Sequence, residues 1–210
     1  MRLLELSRAR PEIPVLRNVI DRFLYDSHDV IEAAIGDEAF IQAIEDSARV
    51  IAESLRNSGQ ILIAGNGGSA AQAQHFAAEL VGRFERDRAA LAAIALGTDS
   101  ATLTAIANDY GYERVFERQF YALANHDTVL VAISTSGRSA NVLRAAEAAF
   151  KEQVPVIAMT SRAGAQLMQL SNLAIVAPSN MTPLVQQLHL VATHAICSLV
   201  EAILFSGMSG

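Results

Sequence analysis

Residues 61–79 read ILIAGNGGSAAQAQHFAAE, and the fold of the chain turns on how this stretch is parsed. Ile61 to Ala64 form an apolar run, Gly65-Asn66-Gly67-Gly68 a glycine-rich turn, and the Ala/Gln-rich remainder suits a helix. Ser69 stands where that helix is expected to begin and is a favoured N-cap type. A buried strand that feeds a glycine turn at a helix N-terminus gathers unpaired N–H groups and the positive end of the helix dipole, which together attract an anion. His75 and Glu79 lie four residues apart and so share a helix face. One element thus offers a phosphate cradle and a pair of metal-ligand or acid–base side chains.

Short apolar runs continue outward from this unit at 60–64, 91–96, 128–133, 155–159 and 173–176. They are too short for free-standing helices and nearly continuous in apolar residues, as strands buried on both faces of a parallel sheet are. The segments between them, 69–82, 100–124, 138–152 and 163–170, are long enough for crossover helices, so the alternation predicts an α/β domain. Two amphipathic stretches precede the first strand, 15–35 and 38–57, separated by Gly36-Asp37, and read as a helical hairpin. A last helix spans 183–204, with Pro183 in its first turn. No linker or repeat divides the 210 residues, which gives a single domain with residues 1–58 as the hairpin and 59–210 as the core.

Composition narrows the function. The chain is 51% hydrophobic and 18% charged, with a mean hydropathy of +0.27, which excludes disorder and hints at surface buried between subunits. A net charge of −6 leaves no basic footprint for nucleic acid. The charged N-terminus is unlike a signal peptide, and the apolar region 188–205 is interrupted by His189, His194 and Glu201, so no membrane span is expected. With Cys197 as the single cysteine, a reducing, cytoplasmic location is expected.

GNGGSA matches the degenerate dinucleotide fingerprint, but the acid that should follow about 20 positions on is missing, since the first acid after the second strand is Asp99. No Gly-Lys-Ser/Thr is present, so it is not a P-loop. A second cluster, Ser134-Thr135-Ser136-Gly137-Arg138-Ser139, follows the third strand and carries four hydroxyls where capping needs one. Both loops fall at carboxyl ends of strands, where ligands gather in open α/β sheets, and together they favour a phosphate-ester pocket over two independent caps. Taken alone, the His75/Glu79 pair is more often an ordinary surface or interface pair than a metal site. In the last helix a buried, hydrogen-bonded histidine is the default reading of His189 and His194. Gln186 and His194 lie about 12 Å apart along that helix, so spacing alone does not make them a pair.

Four motifs in order, GNGGSAAQAQHFAAELVGRF (65–84), IANDYGYERVF (106–116), ISTSGRSANVL (133–143) and QQLHLVATH (186–194), resemble the sugar isomerase (SIS) domain family, and within it the phosphoheptose isomerases. The resemblance runs from about Phe40 to Leu204. It implies a three-layer α/β fold, with a five-stranded parallel sheet flanked by helices, and a homotetramer with sites between subunits. It also implies conversion of sedoheptulose 7-phosphate to D-glycero-D-manno-heptose 7-phosphate in heptose biosynthesis. By the same resemblance, zinc ligands fall on His75, Glu79, Gln186 and His194, and the acid–base pair on Glu79 and His194. Substrate positions fall on Asn66, Gly67, Gly68, Ser69, Arg83, Asn108, Asp109, Ser134, Thr135, Ser136, Ser139 and Gln186. A non-catalytic branch of the family binds the replication initiator protein DnaA, and SAAQAQHFAA (69–78) looks more like its version of the helix. That branch lacks the glutamate at 79 and the histidine at 194, both present here. A sugar-phosphate-sensing module is the third reading. Two positions depart from the enzymes' usual pattern: Leu184-Val185 stands where Arg-Ile commonly precedes the glutamine, and Arg138 where asparagine is common.

Overall fold

The computed structural model describes residues 13–206, with side chains from Val15 onward. The reading of the extreme N-terminus as unlike a signal peptide lies outside the described residues. Two helices, α1 (Ile13–Ile35) and α2 (Glu38–Arg56), precede the core. Asp37 separates them and caps α2, its carboxylate accepting the Phe40 N–H. The core then runs β1 (Ile61–Gly65), α3 (Gly68–Val81), β2 (Ala93–Ala95), α4 (Ser100–Tyr110), α5 (Val115–Leu123), β3 (Val129–Ile133), α6 (Ala140–Lys151), β4 (Val156–Ser161), α7 (Ala165–Met168), β5 (Leu173–Ala177) and α8 (Thr182–Phe205). The five strands form one parallel sheet in the order β2-β1-β3-β4-β5.

Strand alternation divides the core into two layers. Ile61, Ile63, Val129, Val131 and Ile133 face one side, where they meet α2, α3 and α8 through Ile44, Ile51, Phe76, Leu80, Leu188 and Ile196. Leu62, Ala64, Leu130, Ala132, Val156 and Ala158 face the other, against Phe116, Phe120, Val142, Ala146 and Leu167 from α5, α6 and α7. Each fully buried large side chain contributes about 1.5–3 kcal/mol by leaving water, and β1 and β3 are buried along their whole length. This is the expected three-layer α/β fold. By length and composition α8 is apolar enough to cross a membrane, yet it packs against α2, α3, β4 and β5 as a core helix.

The structure departs from the sequence reading at three places. The single helix expected over 100–124 is two helices joined by a short 3-10 turn, Tyr112–Arg114. Gly111 adopts φ +90° there, a left-handed backbone that ends α4. The strand expected over 91–96 shrinks to Ala93–Ala95, because it is an edge strand paired only with β1. The helix expected over 163–170 is a single turn. The hairpin helix α1 buries Val30 and Ala34 against the core but exposes Val19, Ile20, Phe23 and Leu24 along its N-terminal half.

Gly65, at the end of β1, is a steric requirement. A Cβ there would lie 2.7 Å from the Ser69 carbonyl oxygen, in backbone that cannot move aside without shifting α3. Gly65→Ala is therefore expected to lower the urea midpoint by the equivalent of about 1–3 kcal/mol, with the slope of the transition unchanged. A wild-type midpoint would show that the turn has slack that this packing denies.

Candidate functional site

Gly65 and Ile133 pair in register at the carboxyl ends of β1 and β3, so the two loops singled out in the sequence leave the sheet side by side. They are stitched together by a reciprocal amide pair. Asn66 Nδ2 donates to Asn141 Oδ1 at 2.7 Å, and Asn141 Nδ2 donates back to Asn66 Oδ1 at 2.9 Å. The Tyr112 hydroxyl donates to the same Asn66 oxygen. Asn66 thus holds the two loops against each other. Tyr112 and Asn141 were not singled out from sequence.

The N-cap of the helix after the glycine turn falls two residues earlier than expected. Gly67, at φ +54°, occupies the N-cap position of α3, and no side chain caps it. Ser69 is already inside the helix and buried, so its reading as N-cap is corrected. The physical reason is the left-handed glycine, which turns the chain before a serine cap is needed. Beyond Gly67 the space is open, which leaves its backbone accessible to a ligand. In the second loop, Ser134 and Ser139 hydroxyls pair at 3.1 Å, and Ser136 Oγ accepts the Arg138 N–H. Gly137, at φ +61°, packs so tightly on Gly164 that a Cβ would overlap it. Among the described residues the half-buried Thr135 hydroxyl makes no bond within the protein.

Below the cradle, α3 and α8 bring three donors together. His75 Nε2 and His194 Nε2 lie 2.8 Å apart, and Glu79 Oε1 is 3.5 Å from His75 Nε2. The ligand atoms of all three fall within 4.8 Å of one another. Two imidazole nitrogens cannot face each other with both lone pairs bare, so a proton or a cation must lie between them. Two imidazoles and a carboxylate are a donor set that suits zinc. His28, Asp29 and Glu32 form a second close group, but all three are exposed on the surface of α1. Cys197 is buried near Glu79, and burial together with that carboxylate pushes its thiol up to about 12, unlike the lowered thiols of reactive cysteines.

Gln186 sits at the cradle end of α8. Its side-chain amide lies over Gly68, where a Cβ would be 2.4 Å from Nε2, and its backbone carbonyl accepts a bond from Gln72 Nε2 at 2.6 Å. The Gln186 amide thus fills the space that a side chain at position 68 would take. Arg83 is exposed, and so are Asn108 and Asp109, which bond to each other at 2.8 Å. Within one chain these three are not brought to the cluster by any hydrogen bond among the described residues. Sequence reading missed Phe84, which stacks on His194 at 5.5 Å, and the buried ion pair Arg88–Glu201. A lone carboxylate in an otherwise apolar helix was the available signal for Glu201.

Comparison with known proteins places this geometry. Residues 22–161 match the family model described as SIS domain. The chain is 48% identical over 164 residues to a protein named phosphoheptose isomerase from Helicobacter pylori, covering 78% of this chain and 85% of that one. It is 44% identical over 195 residues to a protein of the same name from Thiobacillus denitrificans, covering 91% and 98%. The solved structure of phosphoheptose isomerase GmhA from Neisseria gonorrhoeae superposes with a TM-score of 0.83 at 38% identity, over 89% of this chain and 99% of that one.

His189 lies next to this site on α8 and is fully buried, with Nε2 bonded to the Thr160 carbonyl and no partner for Nδ1 among the described residues. Burial pushes its imidazole from 6.5 down to about 4. The unfolded chain therefore binds the extra proton between these values, so stability is full above pH 6.5 and falls towards pH 4 by about 3 kcal/mol. Urea unfolding at pH 7 and pH 4.5 should show His189→Gln losing about 2 kcal/mol less than wild type over that interval. An unchanged pH dependence would mean the imidazole is protonated in the fold.

Proposed function

We propose that this chain, which belongs to the SIS domain family and within it to the phosphoheptose isomerases, interconverts sedoheptulose 7-phosphate and D-glycero-D-manno-heptose 7-phosphate in heptose biosynthesis. The observation that carries this reading is the convergence of His75 and Glu79, from the helix that the glycine turn opens, with His194 from α8. The phosphate is held by the turn at Gly67, Gly68 and Ser69 and by the hydroxyls of Ser134, Thr135, Ser136 and Ser139. Asn66 and Gln186 complete the wall beside the sugar. The proximity of the two loops, tied through Asn66 and Asn141, supports a single pocket.

In the reaction the Glu79 carboxylate takes the proton from C1 of the open-chain ketose, and the electron pair of that bond forms the C1–C2 double bond of a cis-enediol. His194 gives a proton to the C2 oxygen. Return of a proton to C2, with loss of the one on the C1 oxygen, yields the aldehyde. Glu79 suits the base role because its carboxylate is partly accessible and lies 3.5 Å from the His75 imidazole, at the mouth of the same cluster as His194. Zinc is the ion we assign to His75, Glu79, Gln186 and His194, and when bound it supplies Lewis-acid polarisation of the carbonyl. A histidine nitrogen that ligates a metal cannot also carry the proton, so the acid role of His194 belongs to the form in which Nε2 is free.

Arg83, Asn108 and Asp109 reach a substrate only from a neighbouring subunit in this reading, consistent with assembly as a homotetramer. The apolar N-terminal half of α1 and the apolar groove between α2 and α8, lined by Ile41, Ile44, Ala195 and Leu199, supply surface for such contacts.

Purified protein incubated with sedoheptulose 7-phosphate, with and without added zinc, is expected to form the aldose. Glu79→Gln and His194→Asn should each lower turnover by roughly 10²–10⁴-fold while the circular dichroism spectrum and oligomer size stay as in wild type. No turnover under any metal condition, with binding to an initiator protein or to the sugar phosphate alone, would replace the enzyme by a regulator or a sensor.

A further inference from the structure

The loop that follows α3 is fastened by a buried ion pair with no part in the chemistry above. Arg88 and Glu201 side chains are each 1% exposed and meet at 2.9 Å. The Glu201 carboxylate also accepts three successive backbone N–H groups, from Phe84 at 2.9 Å, Glu85 at 3.0 Å and Arg86 at 3.0 Å. Burial alone would push this carboxyl up, yet those three N–H groups and Arg88 outweigh it and hold it below the usual carboxylate range. The two Nη atoms of the guanidinium donate to the Leu80 and Glu79 carbonyls at 2.8 Å each, groups without an intrahelical partner where α3 ends, and the Leu80 carbonyl also accepts the Leu91 N–H. A cation at that end also complements the helix dipole. Ser198, one turn before Glu201, donates to Glu85 and adds a further tie between α8 and the loop.

Two of these bonds lead to the reacting cluster. One of the carbonyls held by Arg88 belongs to Glu79 itself. The first residue of the turn held by Glu201 is Phe84, whose ring stacks on His194 at 26° with centroids 5.5 Å apart. His194 and Glu201 lie seven residues apart, on one face of α8. An imidazole at a metal or proton-transfer site is usually oriented by a bond to its second nitrogen. Here, among the described residues, the only bond to the His194 ring is the one from Nε2 to His75. The orientation left open at Nδ1 falls to the flat face of Phe84. Well-packed apolar side chains close a turn about as well as a buried ion pair, so closure alone does not account for the charges. What the forked guanidinium and the two carboxylate oxygens add is direction.

We propose that Phe84, Arg88 and Glu201 are positioning residues for the His75–Glu79–His194 cluster, the ion pair fixing both the end of α3 at Glu79 and the ring that orients His194. The proposal rests on the reading of that cluster as the reacting site, and its test separates the two. The wild type, Phe84→Leu, Phe84→Tyr and Arg88→Lys are compared in three measurements: zinc affinity by competition with a chromophoric chelator, kcat and KM, and NMR of histidines labelled at Cε1. Phe84→Leu keeps an apolar side chain but loses the flat ring. It is expected to weaken zinc binding and lower kcat by ~10-fold or more, with KM within about twofold and the melting temperature close to wild type. Its His194 resonance should lose the ring-current shift. Phe84→Tyr should restore all three, and Arg88→Lys, which keeps the charge but not the fork, should fall between. Phe84→Leu with wild-type zinc affinity, kcat and His194 resonance overturns the proposal, as does a loss that only tracks the melting temperature. A wild-type protein that neither turns over nor takes up zinc overturns the functional reading instead, and the His194 resonance in Phe84→Leu and Arg88→Lys still decides positioning.

Discussion

The site depends on one feature of the sheet, the pairing of β1 directly with β3. The chain leaves β1 over one face through α3 and returns at β2, then crosses back to β3 and leaves over the opposite face through α6. Between β1 and β3 the connections diverge, and the crevice they leave at the carboxyl ends is where ligands bind in sheets of this kind. In-register pairing of Gly65 with Ile133 sets both loops at one height. The Asn66–Asn141 amide pair then spans the crevice, so the two loops form one wall.

The division of labour between the faces follows. On one side α6 and α5 pack through alanines and a few aromatics. On the other, α3 lies so close to α8 that the Gln186 side-chain amide occupies the space beside Gly68 where a Cβ would go. That closeness brings His75 and His194 to 2.8 Å although they are 119 residues apart. The buried charges sit on this same side, where a misplaced helix would leave Glu201 without its N–H donors, a cost far above that of a surface ion pair.

Much of this was legible in the sequence. Five apolar runs gave the strands because a sheet covered on both faces needs nearly continuous hydrophobicity, and His75 and Glu79 showed their shared face by spacing alone. The third donor, His194, was legible only through the family's motif, since a histidine in an apolar helix has the same local signature whether it is a ligand or, like His189, buried against a carbonyl. Helix ends were misread where a left-handed glycine overrode propensity, at Gly67 and Gly111. The role of Arg88 was not legible, because Arg83, Arg86 and Arg88 look alike in a charged loop and only the fold decides which one is buried. The paired strands and the cradle were local facts, while the network around the cluster was a tertiary one.

The fastening of the 84–88 turn by Glu201 also bears on the order in which the molecule is made. The bonds concerned join residues 113 to 117 positions apart. Contacts of such separation are slow to form, because chain closure must precede any gain from them. During synthesis β1, α3 and the glycine turn emerge early, and until α8 follows, His75 and Glu79 have neither His194 beside them nor a fixed helix end beneath them. The glycine turn is thus the first part of the candidate site to be made and the His75–Glu79–His194 cluster the last, since it waits for α8, the same helix that closes one face of the sheet.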